Sequence, residues 1–207
     1  ERIKMENRIE LKKGGRMETK SVVKIGMLSA IAYIIMFLEF PIPIFPAFLK
    51  LDFSDIPALI GGFAISPIAG VLIQLIKNLI HFITKTSTGG VGELGNFIVG
   101  ASYVFAASYF YKLHHNKKGA IIGCLAGTAA MTVAGGFFNL FVLLPFYSKI
   151  MPVEAIIAMG SAITPLIHDL PSLVLYGIVP FNIFKGIVVS IVTILIYKKV
   201  SPVLKKR

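Results

Sequence analysis

Long apolar runs without a single charge constrain this chain more than any motif in it. They cover Ile25 to Leu38, Ile56 to Ile76, Phe97 to Tyr111, Ala120 to Tyr147, Leu170 to Phe184 and Gly186 to Tyr197. A helix needs roughly 20 apolar residues to cross a hydrocarbon core about 30 Å thick, and several of these runs approach or exceed that length. The composition agrees, with 56% apolar residues, 15% charged residues and a mean hydropathy of +0.81. Such a chain needs lipid around it, and its 207 residues leave no room for a separate soluble domain. The predicted fold class is an all-α integral membrane protein.

The net charge of +11 would suit nucleic acid, but its distribution points to a bilayer instead. Of the 21 basic residues, eight precede Gly26, three lie between Lys112 and Lys118, and five follow Tyr197. Basic clusters beside apolar spans mark the cytoplasmic side, so both termini are expected there, with an even number of crossings, most simply six transmembrane helices. Glu39, Asp52, Asp55, Glu93, Glu154 and Asp169 all fall towards the opposite side. No aromatic residues are interleaved for base stacking, so nucleic acid is not an expected partner. The single cysteine, Cys124, excludes an internal disulfide and reads as packing. Residues 1–19 read as a disordered or non-native tail and 20–207 as one membrane domain.

The first helix is expected from about Ser21 to Leu38. Gly26 and Ala30 lie four residues apart on it, a small surface for close helix approach, either by a partner or within the chain. Pro41, Pro43 and Pro46 keep the next segment extended, as a lid over a site or as a connector in the interface. In Lys50-Leu51-Asp52-Phe53-Ser54-Asp55-Ile56-Pro57, charge then gives way abruptly to apolar helix. Asp55 reads as the N-cap and Pro57 as a first-turn residue of a helix to about Ile65. Ser66-Pro67 breaks it before a third helix that runs to about Thr84.

Polar residues on the third helix cannot face lipid. Gly70, Gln74, Lys77, Asn78 and His81 recur at spacings of three and four, on one face. A lysine facing lipid near the bilayer centre costs roughly 2.5 to 3.5 kcal/mol, so Lys77 contacts a ligand or forms a salt bridge to Asp52, Asp55 or Glu93. The loop Lys85 to Glu93 is polar and glycine-rich, but no Gly-x-x-x-x-Gly-Lys-Ser/Thr occurs in the chain to support ATP hydrolysis. On the fourth helix (about Glu93 to Tyr111), Asn96 shares a side with Gly92, Gly100, Tyr103 and Ala107. It reads as a ligand contact or as an interhelical hydrogen bond. His114 and His115 lack the neighbours of a metal set and read as solvated.

The fifth helix, about Gly119 to Phe146, carries Gly119, Gly123 and Gly127 on one face and Thr128, Thr132, Gly135 and Asn139 on another. A bare amide in an apolar setting costs about 1 to 3 kcal/mol, so Asn139 needs a partner. From Tyr147 to Val179 the pattern is mixed and is placed on the outer surface with one or two short helices. His168-Asp169 there lacks the rest of a hydrolase site and reads as a capping or hydrogen-bonded pair, so no catalytic residue and no metal site is assigned. The last helix opens at Pro180. Asn182 and Lys185 share a face there beside Phe181 and Phe184, offering aromatic surface and two polar groups to a planar heteroaromatic ligand; interfacial snorkelling is the alternative for Lys185.

These residues resemble a known family. Lys50 to Ala64 with Ser66-Pro67, Lys77-Asn78, and Asn182-x-x-Lys185-Gly186 look like the riboflavin-specific S component of prokaryotic energy-coupling-factor (ECF) transporters, over about Lys20 to Lys199. The resemblance implies six helices around a vitamin pocket open to the outside of the cell membrane, and no enzymatic activity. It places flavin contacts on Asn139, Asn182 and Lys185, adds Lys77, and covers the site with the loop near Leu51 and Asp52. Gly26 and Ala30 match the small-x-x-x-small pattern with which the family docks a transmembrane coupling subunit, itself driven by two ATPase subunits. Riboflavin, or flavin mononucleotide, is then the transported ligand rather than a cofactor.

Overall fold

The structure, a computed structural model, describes residues 19–86 and 88–205, with side chains described as far as residue 197. The expected tail lies outside the described residues except for Thr19, which opens the first helix. Helix α1 (Thr19–Met36) leads into a two-stranded hairpin, β1 (Phe40–Pro41) and β2 (Lys50–Leu51). Then follow α2 (Asp55–Ala64), α3 (Pro67–Lys85) and α4 (Val91–Leu113). Helix α5 (Lys117–Phe138) continues through a π turn (Asn139–Leu143) into α6 (Leu144–Tyr147). A short α7 (Val153–Ser161) precedes α8 (Leu170–Leu173), which runs through a second π turn (Val174–Ile178) into α9 (Val179–Lys205).

Counted as continuous segments, the described residues form seven helices, one more than expected, because α7 stands alone in the outer connection. Four segments are long and apolar enough to cross a membrane: Thr19–Met36, Pro67–Lys85, Lys117–Tyr147 and Leu170–Tyr197. Helix α4 has the length, at 23 residues, but carries Glu93, Asn96 and three tyrosines.

The largest departure from expectation is the start of the final helix, which begins at Leu170 rather than Pro180. Proline in a helix lacks an N–H and its ring presses on the carbonyl four residues back. A π turn ends two residues before Pro180, and another two residues before Pro145, so each wider turn relieves the helix where the ring would strain it. The hairpin is the second departure. The proline-rich segment is not simply extended: Phe40 pairs with Leu51 and Pro41 with Lys50, and Lys50 Nζ lies 2.7 Å from Glu39 Oε1. A third concerns α2, whose N-cap is Ser54, with Asp55 the first helical residue.

Close packing follows from glycine where helices α4 and α5 meet. A Cβ on Gly123 would stand 2.4 Å from the Ala107 carbonyl oxygen, and one on Gly127 2.7 Å from that of Tyr103. Only hydrogen fits there, and close backbone approach is how helices associate without a hydrophobic drive.

Buried apolar residues form two clusters. The larger joins α1 to α5 and α9 through Leu28, Leu59, Ile73, Val104, Cys124 and Val189. The smaller joins Leu144, Ile156, Ile167, Leu173 and Ile178, with Phe48 and Leu49 of the hairpin packed on it. Outside, Ile68, Leu79, Ile83, Leu125, Val133, Phe137 and Leu195 are exposed, while Asp55, Gln74 and Lys77 are almost wholly enclosed. That inversion suits a hydrocarbon surround, where polar groups gather inside.

Candidate functional site

A cavity of about 490 Å³ lies between the two clusters, a size typical of small-ligand sites. Its floor is a charge cluster supplied by the hairpin exit and three helices. Lys185 Nζ on α9 lies 2.7 Å from Asp52 Oδ2 and 3.2 Å from Asp55 Oδ2. Lys77 Nζ on α3 donates to Asp55 Oδ1 at 2.8 Å and to Ser54 Oγ at 2.6 Å. Gln74 Nε2 adds a bond of 2.7 Å to the same Asp55 oxygen. Ser54 closes the set, its N–H donating to Asp52 Oδ1 at 2.9 Å and its hydroxyl bonding that oxygen too.

Two carboxylates and two ammonium groups balance in this cluster, which is the condition under which buried charge is tolerated. Burial pushes the Asp52 carboxyl up, but the Lys185 and Lys77 charges and the Lys185 hydrogen bond outweigh it and hold it below its ordinary value.

The expected ligand residues divide into those that line the cavity and those behind it. Asp52, Asn96, Asn139, Phe181, Asn182 and Lys185 line it together. Asn139 donates to the Gly135 carbonyl at 2.8 Å, and Gly135 itself makes room for Asn182, whose Nδ2 would stand 2.5 Å from a Cβ there. Asn96 Oδ1, also facing this space, is buried without a hydrogen-bond partner among the described residues.

Lys77, Leu51 and Phe184 do not line the cavity. Lys77 is fully enclosed and satisfied by Asp55 and Ser54, so the salt bridge, not ligand contact, accounts for it. Leu51 is buried in the hairpin, and Phe184 turns to Phe45, 5.6 Å away between ring centroids. Lys77 and Lys185 therefore both balance neighbouring acids, and of the two only Lys185 also faces the cavity.

The hairpin covers one side of the cavity. Glu39, Phe48, Leu49, Lys50 and Asp52 all reach the cavity from it, and Phe45 wedges edge-on against Phe181 with centroids 5.4 Å apart. The opposite rim was not foreseen. His81 Nδ1 lies 2.9 Å from Glu93 Oε1, while the Thr86 and Thr88 hydroxyls donate to Glu93 Oε2 at 3.1 and 3.0 Å. Two threonines and a glutamate converging across a glycine turn were the available signal. The left-handed φ of Gly89 (62°) and Gly90 (93°) makes that turn.

Gly26 and Ala30 lie on the exposed face of α1 and do not line the cavity, and among the described residues nothing stands within 4 Å of a Cβ placed on Gly26. They do not pack within the chain's own bundle. Asp169 accepts from the Ser172 N–H at 2.7 Å and its own N–H is bonded by Ser172 Oγ, a helix cap rather than part of a reactive pair. Among the described residues, no group of His, Cys, Asp and Glu could hold a metal ion.

A helical bundle that is apolar outside and encloses a largely apolar cavity with a charged floor has the architecture of a membrane protein that holds a small ligand. The chain belongs to the ECF transporter, substrate-specific component family, whose model matches residues 20–197. Riboflavin transporter RibU of Staphylococcus aureus (strain TCH60) is 38% identical over 91% of this chain and 94% of its own length. Riboflavin transporter FmnP of Bacillus subtilis (strain 168) is 37% identical over 90% and 94%. A solved S component of a bacterial ECF transporter superposes with a TM-score of 0.72 at 38% identity, covering 92% of this chain and all of that one. The family is one of transport components, so the chain is a membrane transport protein and not an enzyme.

Proposed function

We propose that this chain binds riboflavin at the outer side of a prokaryotic cell membrane and delivers it inward as the substrate-specific subunit of an ECF transporter. The observation that carries the reading is the convergence of Asn96, Asn139, Asn182 and Lys185 with Phe181 on one lidded cavity. Aromatic and apolar walls suit a tricyclic ring, and a few placed amides and an ammonium suit its pyrimidine edge. The riboflavin transporters among its relatives support the same ligand.

In this reading residues 20–207 form one membrane domain of six crossings: α1, α2, α3, α4, α5 with α6, and α8 with α9. Both termini are cytoplasmic, as the basic clusters require. The ten residues of α2 rise only about 15 Å, because the hairpin before it descends to the buried Asp52. Gly26 and Ala30 receive a transmembrane coupling subunit powered by two ATPases. No tryptophan is present, so quenching of flavin fluorescence reports binding cleanly. Purified protein is expected to bind riboflavin saturably at micromolar concentration or below, ahead of thiamin and pantothenate; absence of riboflavin binding rejects the proposal.

A further inference from the structure

Four carboxylates but only two ammonium groups line the cavity: Glu39, Asp52, Asp55 and Glu93 against Lys50 and Lys185. Both lysines are engaged, Lys50 with Glu39 and Lys185 with Asp52 and Asp55. Lys77 balances the floor from behind. That leaves Glu93 as the carboxylate with no ammonium beside it among the described residues. Its Oε1 is hydrogen-bonded with the His81 imidazole, and Lys85, the lysine nearest in sequence, lies over the Phe37 ring at 4.5 Å.

The rim is built to keep Glu93 ionised without neutralising it. Thr86 Oγ1 accepts from the Gly90 N–H at 3.1 Å and Thr88 Oγ1 accepts from the Gly92 N–H at 3.1 Å. Each hydroxyl is thereby oriented to donate onwards to Glu93. Neutral donors satisfy a carboxylate's lone pairs and leave its charge in place. A carboxylate held this way occupies the donor set that a ligand phosphate would otherwise use.

The position of Glu93 decides which part of a ligand meets it. Gly100 on α4 abuts Gln74, which bonds Asp55, so the floor lies level with Gly100. Glu93 is seven residues earlier on the same helix, about 10 Å along its axis. A flavin whose pyrimidine edge meets Asn182 and Lys185 at the floor has that distance in which to direct its ribityl chain outward. The chain ends in a hydroxyl in riboflavin and in a phosphate in flavin mononucleotide.

We propose that Glu93, held by Thr86, Thr88 and His81, is the specificity-determining residue that admits riboflavin and rejects its phosphate ester. The inference rests on the flavin-binding reading above. A phosphate brought near this carboxylate meets like charge in a partly enclosed site, where repulsion is worth several times its value in water. A polyol hydroxyl there finds an acceptor instead.

The test is paired titration of purified wild-type protein and Glu93→Gln with riboflavin and with flavin mononucleotide. Wild-type protein is expected to bind riboflavin at least about tenfold more tightly. Glu93→Gln is expected to cut that ratio by about tenfold, whatever change the two affinities share. A second arm independent of the variant's folding repeats the wild-type titrations at raised salt. Screening reaches a partly enclosed charge less than an exposed one, so raised salt should narrow the gap between the two flavins in part, by strengthening the phosphate ester. Equal wild-type affinities, a ratio unmoved in the variant, or a gap indifferent to salt each overturns the role of Glu93 while leaving riboflavin binding intact. Failure of wild-type protein to bind either flavin overturns the flavin reading itself, and this inference with it.

Discussion

The floor and the rim of the cavity use the same side-chain chemistry in opposite ways. At the floor, Asp52 and Asp55 meet Lys77 and Lys185, and the four charges cancel inside the bundle. At the rim, Glu93 meets two hydroxyls and an imidazole, and its charge persists. Cancelled charge fastens helices together; retained charge acts on whatever enters. The floor also ties the lid to the bundle, because Asp52 leaves the hairpin and is held by Lys185 from the final helix.

The sharpest way to break this comparison is to unbalance the floor. Lys77→Met leaves Asp55 one cation short in a sealed site, and the expected loss of stability is about 3 to 5 kcal/mol. Thermal unfolding in detergent reads it, and an unchanged midpoint would mean that the floor does not hold the fold. Next come the residues that face the ligand. Asn182→Ala is expected to cost about 1 to 3 kcal/mol of flavin affinity with little change in stability. Lys185→Ala should lower both, since it serves the floor and the cavity together. Titration beside thermal unfolding separates them, and identical behaviour of the two variants would erase the division.

A replacement outside both regions is the control. Gly26→Phe is expected to leave flavin titration unaltered and to abolish uptake in cells; retained uptake moves the docking face elsewhere. The smallest effect concerns pH. Hydrogen bonding by the Ser172 side chain, and then by its backbone, holds the Asp169 carboxyl below its ordinary value. A lowered folded-state value contributes stability that is present above the unfolded chain's value and lost as pH falls through the folded one. Asp169→Asn, which still caps, should therefore flatten the decline in unfolding temperature between neutral pH and about pH 3. Parallel curves would show that the cap's charge plays no part.

Much of the bundle was legible because its signals are local. Ser66-Pro67 ended one helix and began the next where expected, and α3, α4 and α5 fall within two residues of their predicted starts. The final helix was misplaced because Pro171 and Pro180 read as interruptions. In fact Pro171 sits in the first turn and Pro180 follows a π turn. In the site, Asn139 was legible as an amide needing a partner, Asn96 as a ligand contact or interhelical bond, and Asn182 with Lys185 as polar groups beside Phe181; all four line the cavity. Lys77 was legible as a charge that lipid could not accommodate yet lies behind the cavity, because helical spacing shows that a residue faces inward and not how deep its neighbours leave it. His81 and Glu93 were seen singly, and nothing in their spacing disclosed that they meet.

The amino-acid order by itself determined that this chain lives in lipid and where most helices run, since a hydrocarbon surround tests each stretch of chain for polarity one turn at a time. Which charges cancel and which remain was decided only by tertiary structure. Asp52 and Lys185 stand 133 residues apart, and their contact depends on how the hairpin descends into the bundle. Pairing of that range is a property of assembled helices, because Coulomb attraction in a sealed interior depends on separation in space and not along the chain.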